Sequence, residues 1–410
     1  VFGDVSYRPP HQILERYADL LVNWALGGGQ GISVGDVVLI NAHEDAKPLM
    51  IEACRAVWSA GGHVIPRLLP ADDADLSLER SFYELAGEDQ LTFFPVRMML
   101  AMIEQVDHIL HITGERDPKA LASVDPSKMM RRQQSYGPMI EAQNAKEGAG
   151  RLSWTIGQYG TEAMAAEAGM TIEEYWEQII FACFLDSEDP VARWRETAAL
   201  IAESRDRLNA LPIERLHLEG EDADLWFTLG EKRQWIGGGG RNVPSFEIFT
   251  SPDWRGTNGW IRFSEPLYYN GQIVKDVELE FRDGLVVRTG ASENEELLRQ
   301  IVEAENGNRV GEFSLTDGRT SRITRFMAST LYDENVGGRF GNTHVAIGMS
   351  IRETYDGEHD GLTEEGWEAL GYNMSTVHVD IVSTADRTVT AVLSDGSERV
   401  IYSGGRFQLD

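Results

Sequence analysis

The chain has 410 residues, is 42% apolar, and carries 66 acidic residues against 37 basic ones, a formal net charge of −29. That length predicts about two domains, and the acidity excludes a nucleic-acid binder, which needs a positive footprint. No uncharged apolar run approaches the roughly 18 residues that a membrane helix requires, so no span is expected.

The opening stretch, HQILERYADLLVNWAL (11–26), has helical periodicity without a basic leader and cleavable apolar core, and reads as an amphipathic first helix. The glycine cluster GGGQG (27–31) follows that helix and precedes the first strand. This order is wrong for a dinucleotide loop, so it reads as a turn. DVVLINA (36–42) is a short apolar strand, DAKPLMIEACRAVWSAGG (45–62) a helix closed by a glycine pair, and HVIPRLL (63–69) the next strand. Strand, helix and strand in that order imply a parallel pair with a right-handed crossover. Further strands are expected at 106–114 and 151–157, with an amphipathic helical segment over 81–105 between the second and third. TIEEYWEQIIFACFL (171–185) opens with a capping box, Thr171 three residues before Glu174. A helix over 190–211 follows, and Pro212 marks an expected boundary between domains 1–212 and 213–410.

Beyond Pro212 the texture changes to short alternating segments, with RDG and SDG as hairpin turns and one helix near 293–306. The predicted fold is therefore an α/β N-terminal domain with a mostly parallel sheet, followed by a β-rich α+β domain.

The two cysteines, Cys54 and Cys183, lie in helix-like apolar surroundings and read as buried reduced thiols, which favours the cytoplasm. Only six of the basic residues are lysine. Many carboxylates with few lysines suit a salt-rich cytoplasm.

Most of the nine histidines read as ordinary surface or core residues, and His108 and His217 have no evident acidic partner in their surroundings. His344 and His378 differ. His344 enters a short apolar run, GNTHVAIG, closed by glycine. His378 and Asp380 stand two apart in STVHVDIVST, so their side chains leave the same face of a strand while Val377, Val379 and Ile381 take the other. Imidazole beside carboxylate is metal-ligand chemistry, although a polar strand face explains this pattern as well. Glu247 in NVPSFEIFTSPD and Glu312 in RVGEFSLT are acidic residues inside apolar stretches, where an unpaired carboxylate is costly.

In that order, NVPSFEIFTSP, GEFSL, LYDENVGGRFGNTHVAIG and STVHVDIV resemble the thermophilic metallo-aminopeptidase family, that of aminopeptidases T and S. ITGERDPKAL and DSEDPVARW extend a weaker likeness through the first half. The resemblance implies a metallo-aminopeptidase acting on short peptides, with Glu247, Glu312, His344, His378 and Asp380 as metal ligands. It implies two divalent metal ions, with zinc, cobalt, manganese and magnesium as candidates, and a homodimer with an enclosed site. Glu312 is the expected bridging carboxylate and the residue expected to take the proton of the nucleophilic water. One position departs: the family's tyrosine, seven residues after the first histidine, is Ile351 here, with Tyr355 and Tyr372 nearby in sequence. A ring-cleaving dioxygenase of the dihydroxypyridine type, with one iron on a His, His-x-Asp triad, is the alternative reading. A metal-binding homologue without turnover is a third.

Overall fold

Val37–His43 (β1), His63–Leu69 (β2), His108–Thr113 (β3) and Ser153–Gln158 (β4) form a sheet in the order β2-β1-β3-β4, parallel at every pair. The computed structural model describes residues 7–72, 76–359 and 361–409. They divide into two compact units, one running up to Arg195 with Gly239–Pro244, the other comprising Glu196–Gly238 and the chain from Ser245 onward.

The four strands of the first unit lie where apolar runs place them; the central pair β1 and β3 is largely buried, whereas β2, at the sheet edge, stays partly exposed along its length. Leu39 and Ile109, on one sheet face, pack with Ile103 of helix Val96–Gln105 and Met139 and Ala142 of helix Gly137–Gly148. Gly157 of β4 sits against Tyr17 and Leu21 of the first helical segment, where an added Cβ would fall 2.9 Å from Leu21. The helix Lys47–Ser59 ends at Ala60 and Gly61, whose φ of 83° is a left-handed stop. Helix Ile172–Ala182 carries the expected capping box between Thr171 and Glu174.

The stretch 81–105 is not one amphipathic helix. It belongs to three, Leu78–Leu85, Glu88–Thr92 and Val96–Gln105, because Gly87 and Pro95 interrupt the ladder. The last of these is closed by a side chain 40 residues on: the Lys146 ammonium donates to the carbonyls of Ile103, Glu104 and Val106 at 2.9, 2.9 and 2.5 Å. Orphan carbonyls at a helix end thus receive a cation that also suits the negative end of the dipole.

His108 and His217 do have acidic partners, contrary to the sequence reading. His108 Nε2 lies 2.9 Å from Asp36 Oδ2 and its Nδ1 2.8 Å from Ser153 Oγ, tying the first residues of β3 and β4 to the entry of β1. His217 Nε2 lies 2.8 Å from Asp224 Oδ1, across a strand pair. Pairing between distant segments created both contacts.

In the second unit the strands are Ile213–Gly220 (β5), Ala223–Thr228 (β6), Glu247–Thr250 (β7), Asp253–Arg262 (β8), Leu267–Tyr269 (β9), Gln272–Val274 (β10), Glu278–Arg282 (β11) and Leu285–Gly290 (β12). Val310–Thr316 (β13), Asn342–Gly348 (β14), His378–Ser383 (β15), Arg387–Leu393 (β16), Glu398–Ser403 (β17) and Arg406–Phe407 (β18) complete the set. An eight-stranded sheet runs β12-β11-β8-β6-β5-β16-β17-β18, and a four-stranded sheet runs β15-β14-β13-β7. All their pairs are antiparallel.

The two sheets share one apolar core. Ile248, Phe313, Leu315, Val345, Ile347, Val379 and Ile381 enter it from the four-stranded sheet, and Leu216, Phe227, Ile261 and Val389 from the eight-stranded one. Phe227 and Phe313 stack with centroids 4.6 Å apart. Alternation along each strand sends the intervening residues of the smaller sheet to its opposite face.

Candidate metal centre

Register brings the five polar residues onto that opposite face. Thr316 pairs with Glu247, Ser314 with His344, Glu312 and Asp380 with the same Ala346, and Gly348 with His378. Four strands therefore present the five residues on one face, interleaved with Ala346, Val382 and Phe249 and backed by the apolar core. In β13 an irregularity in register between Val310 and Glu312 lets Val310 enter the core while Glu312 joins the opposite face. Beyond it the alternation holds, and a one-residue slip would bury the carboxylates in the core instead.

The side chains converge. His344 Nε2 lies 3.1 Å from Glu312 Oε1, 3.5 Å from Glu247 Oε2 and 3.7 Å from Asp380 Oδ1. His378 Nε2 lies 3.4 Å from Asp380 Oδ1 and 3.8 Å from Glu312 Oε2. Within these five residues, two groups have ligand atoms all within 4.8 Å of one another: Glu247, Glu312 and His344, then Glu312, His378 and Asp380. Glu312 belongs to both.

Both imidazoles are held by their second nitrogen. His344 Nδ1–H donates to the Glu334 carbonyl at 3.1 Å, and His378 Nδ1–H to the Met349 carbonyl at 2.7 Å. This leaves both Nε2 atoms facing the carboxylates, the tautomer a metal ligand needs. Glu247 accepts from Ser314 Oγ at 3.2 Å and from Ser245 Oγ at 3.5 Å. The serines and the two carbonyls were not anticipated from the sequence. Ser314 had a legible signal, since it stands two residues after Glu312 on the same strand face; the carbonyls had none.

Electrostatics point the same way. Burial, reinforced by Glu312, pushes the Glu247 carboxyl up to about 8. Burial alone would depress His344, but its hydrogen bond to Glu312 and the charges of Asp380, Glu247 and Glu312 carry it up to about 9. Burial likewise opposes, and Asp380 and Glu312 overcome, the rise of His378 to about 10. Burial would raise Asp380, yet His378 and His344 hold it at about 2. Three crowded carboxylates make a site that retains protons when no cation is present, and cations of higher charge would relieve it. The donor set fits divalent metal: oxygen and neutral imidazole nitrogen, with supported tautomers.

Ile351 lies two residues beyond Met349. Its N–H donates to Ser251 Oγ at 2.8 Å, and its carbonyl accepts from Thr354 Oγ1 at 2.7 Å. Tyr355 and Tyr372 pack edge-on against Trp367, and the Tyr372 hydroxyl meets Thr354 Oγ1 at 3.2 Å. The structure thus gives both tyrosines packing roles.

A β-rich unit carrying a buried carboxylate–imidazole cluster on one sheet face defines a metal-dependent enzyme. The family model described as thermophilic metalloprotease (M29) matches residues 11–407. The chain is 29% identical to aminopeptidase T of Thermus thermophilus over 96% of its own length and 98% of that protein's. It is 26% identical to aminopeptidase PepS of Streptococcus thermophilus, over 96% and 97% of the two chains. The solved structure of wild-type AmpT from Thermus thermophilus superposes with a TM-score of 0.80 at 26% identity, covering 97% of this chain and 99% of that one. The chain belongs to the thermophilic metalloprotease (M29) family, and is a hydrolase.

Proposed function

We infer that this metal-dependent aminopeptidase works with two divalent ions, held by Glu247, Glu312 and His344 on one side and by Glu312, His378 and Asp380 on the other. The membership of Glu312 in both groups carries this reading. It also favours a dinuclear peptidase over a mononuclear iron dioxygenase, which needs only a His, His-x-Asp triad. Bound divalent ions supply Lewis acidity toward the scissile carbonyl and lower the pKa of an attacking water.

The protein's own groups do the rest. Glu247, Glu312 and Asp380 together offset most of the charge of two divalent ions. The Glu334 and Met349 carbonyls hold His344 and His378 as neutral donors at Nε2. Glu312 is placed to take the proton of the nucleophile at a carboxylate oxygen and return it to the leaving amine. The apolar core behind the sheet fixes the five side chains, so the geometry is preorganised. The substrates are short peptides with a free N-terminal amine, and the enzyme is a cytoplasmic homodimer. Among the described residues no helix is long and apolar enough to cross a membrane.

The test is metal removal and restoration. Exhaustive chelation abolishes release of a reporter from aminoacyl substrates, and stepwise addition of Zn²⁺, Co²⁺, Mn²⁺ or Mg²⁺ restores it with a break at two equivalents. Activity unchanged after chelation overturns the reading. One iron with oxygen uptake would select the dioxygenase.

A further inference from the structure

We propose that Asn335 is a positioning residue that sets the spacing of one half of the metal site, the half formed by Glu247, Glu312 and His344. The inference rests on the dinuclear reading above.

The connection between β13 and β14 contains the sequence Asp333-Glu334-Asn335, and all three residues are buried. The Glu334 carbonyl accepts from His344 Nδ1–H at 3.1 Å and from Asn342 Nδ2 at 2.6 Å. The next residue reaches the other way. Asn335 Oδ1 accepts the Phe246 N–H at 2.6 Å, and Asn335 Nδ2 donates to Glu334 Oε1 at 3.2 Å. Phe246 immediately precedes Glu247, the first residue of β7. One amide side chain therefore links the backbone that delivers Glu247 to the residue whose carbonyl orients His344.

The turn is itself held in place. The Asp333 carboxylate accepts from the backbone N–H groups of Met327 and Ser329 at 2.6 and 2.8 Å. The Asn335 carbonyl accepts from Ser321 Oγ at 2.5 Å, and its N–H donates to the Tyr332 carbonyl at 3.0 Å. A brace that is pinned on its own side transmits position to what it touches. His378, in the other half, takes its support from the Met349 carbonyl instead.

The chemistry of the residue matches the task. An amide of this length offers an acceptor to Phe246 and a donor to Glu334 together. Aspartate keeps the acceptor and loses the donor. Leucine keeps the volume and loses both.

Ion uptake by the metal-freed full-length protein tests this directly. Zn²⁺ is titrated by calorimetry in the presence of a competing chelator, comparing the unaltered chain with Asn335→Leu and Asn335→Asp, and folding is followed by near-ultraviolet circular dichroism. The expected result is two classes of ion in the unaltered chain. In Asn335→Leu one class weakens by about 10–100-fold, as when an outer partner of a ligand is lost, and the other stays within about threefold. Asn335→Asp falls between, and it carries the test if the leucine variant does not fold. Two classes unchanged in a folded variant overturn the inference and leave the dinuclear reading standing. Parallel weakening of both classes overturns it as well, by showing a general structural role. A single ion in the unaltered chain overturns the dinuclear reading and the inference together.

Discussion

Glu312 directs one carboxylate oxygen at His344 Nε2, 3.1 Å away, and the other toward His378 Nε2, 3.8 Å away. A carboxylate in that position would be shared by ions held in the two halves of the site. Glu312→Gln keeps the shape, removes one acceptor charge and cannot take a proton. Its kcat is expected to fall by about 10²–10⁴, the usual contribution of a general base, with KM changed far less. Steady-state kinetics on an aminoacyl reporter at saturating metal checks this, and a kcat within tenfold of the parent would count against the role.

The metal-free protein should show a pH dependence of stability set by the same cluster. His344 and His378 have folded values of about 9 and 10, above their ordinary 6.5. Their stabilising contribution is complete below 6.5 and is lost as pH rises through 9 to 10. Glu247, at about 8 instead of 4.5, adds a cost that grows over pH 4.5–8. Asp380, held at about 2 against an ordinary 3.8, contributes stability above 3.8 that disappears as pH falls toward 2. The cluster therefore favours the metal-free fold most near pH 4, and stability declines from there toward pH 10 as first Glu247 and then the histidines titrate. Urea unfolding of chelated protein at a series of pH values measures it. Because the ligands must shed protons, metal affinity is expected to rise over the same interval.

Ile351 has no hydroxyl to ligate, donate a hydrogen bond or stabilise an oxyanion. Restoring one with Ile351→Tyr is expected to raise kcat about tenfold or more, since losing a single oxyanion donor costs about 10²–10³ elsewhere. Metal stoichiometry should not change, because Ile351 is outside the five-residue cluster. No gain in kcat from a folded variant would show that this chain supplies the contribution by another route.

With a net charge of −29 and only six lysines, surface repulsion opposes the compact state. The melting temperature is expected to rise by several degrees between about 0.01 and 1 M KCl as the screening length shortens from about 30 to 3 Å. A flat or falling melting temperature would remove the case for a salt-rich setting.

The pattern of residues alone determined a good deal. Apolar runs of the right length located the four parallel strands, most sharply the central β1 and β3, because a strand covered on both faces must be apolar; β2, at the edge, is partly exposed. Alternation located His378 and Asp380 on one face, because the period of a strand is two. Isolated carboxylates in apolar strands marked Glu247 and Glu312. The tertiary structure decided what depends on register between segments far apart in the chain. Ala346 faces both Glu312 and Asp380, and this pairing makes five scattered residues into one cluster. The Glu334 and Met349 carbonyls orient the imidazoles, and backbone oxygens have no identity in a sequence. His108 met Asp36, and Lys146 closed the helix Val96–Gln105, across 72 and about 40 residues of chain. Side-chain chemistry is written locally, whereas the partner of a buried polar group is settled only when the chain has folded and each such group must find one.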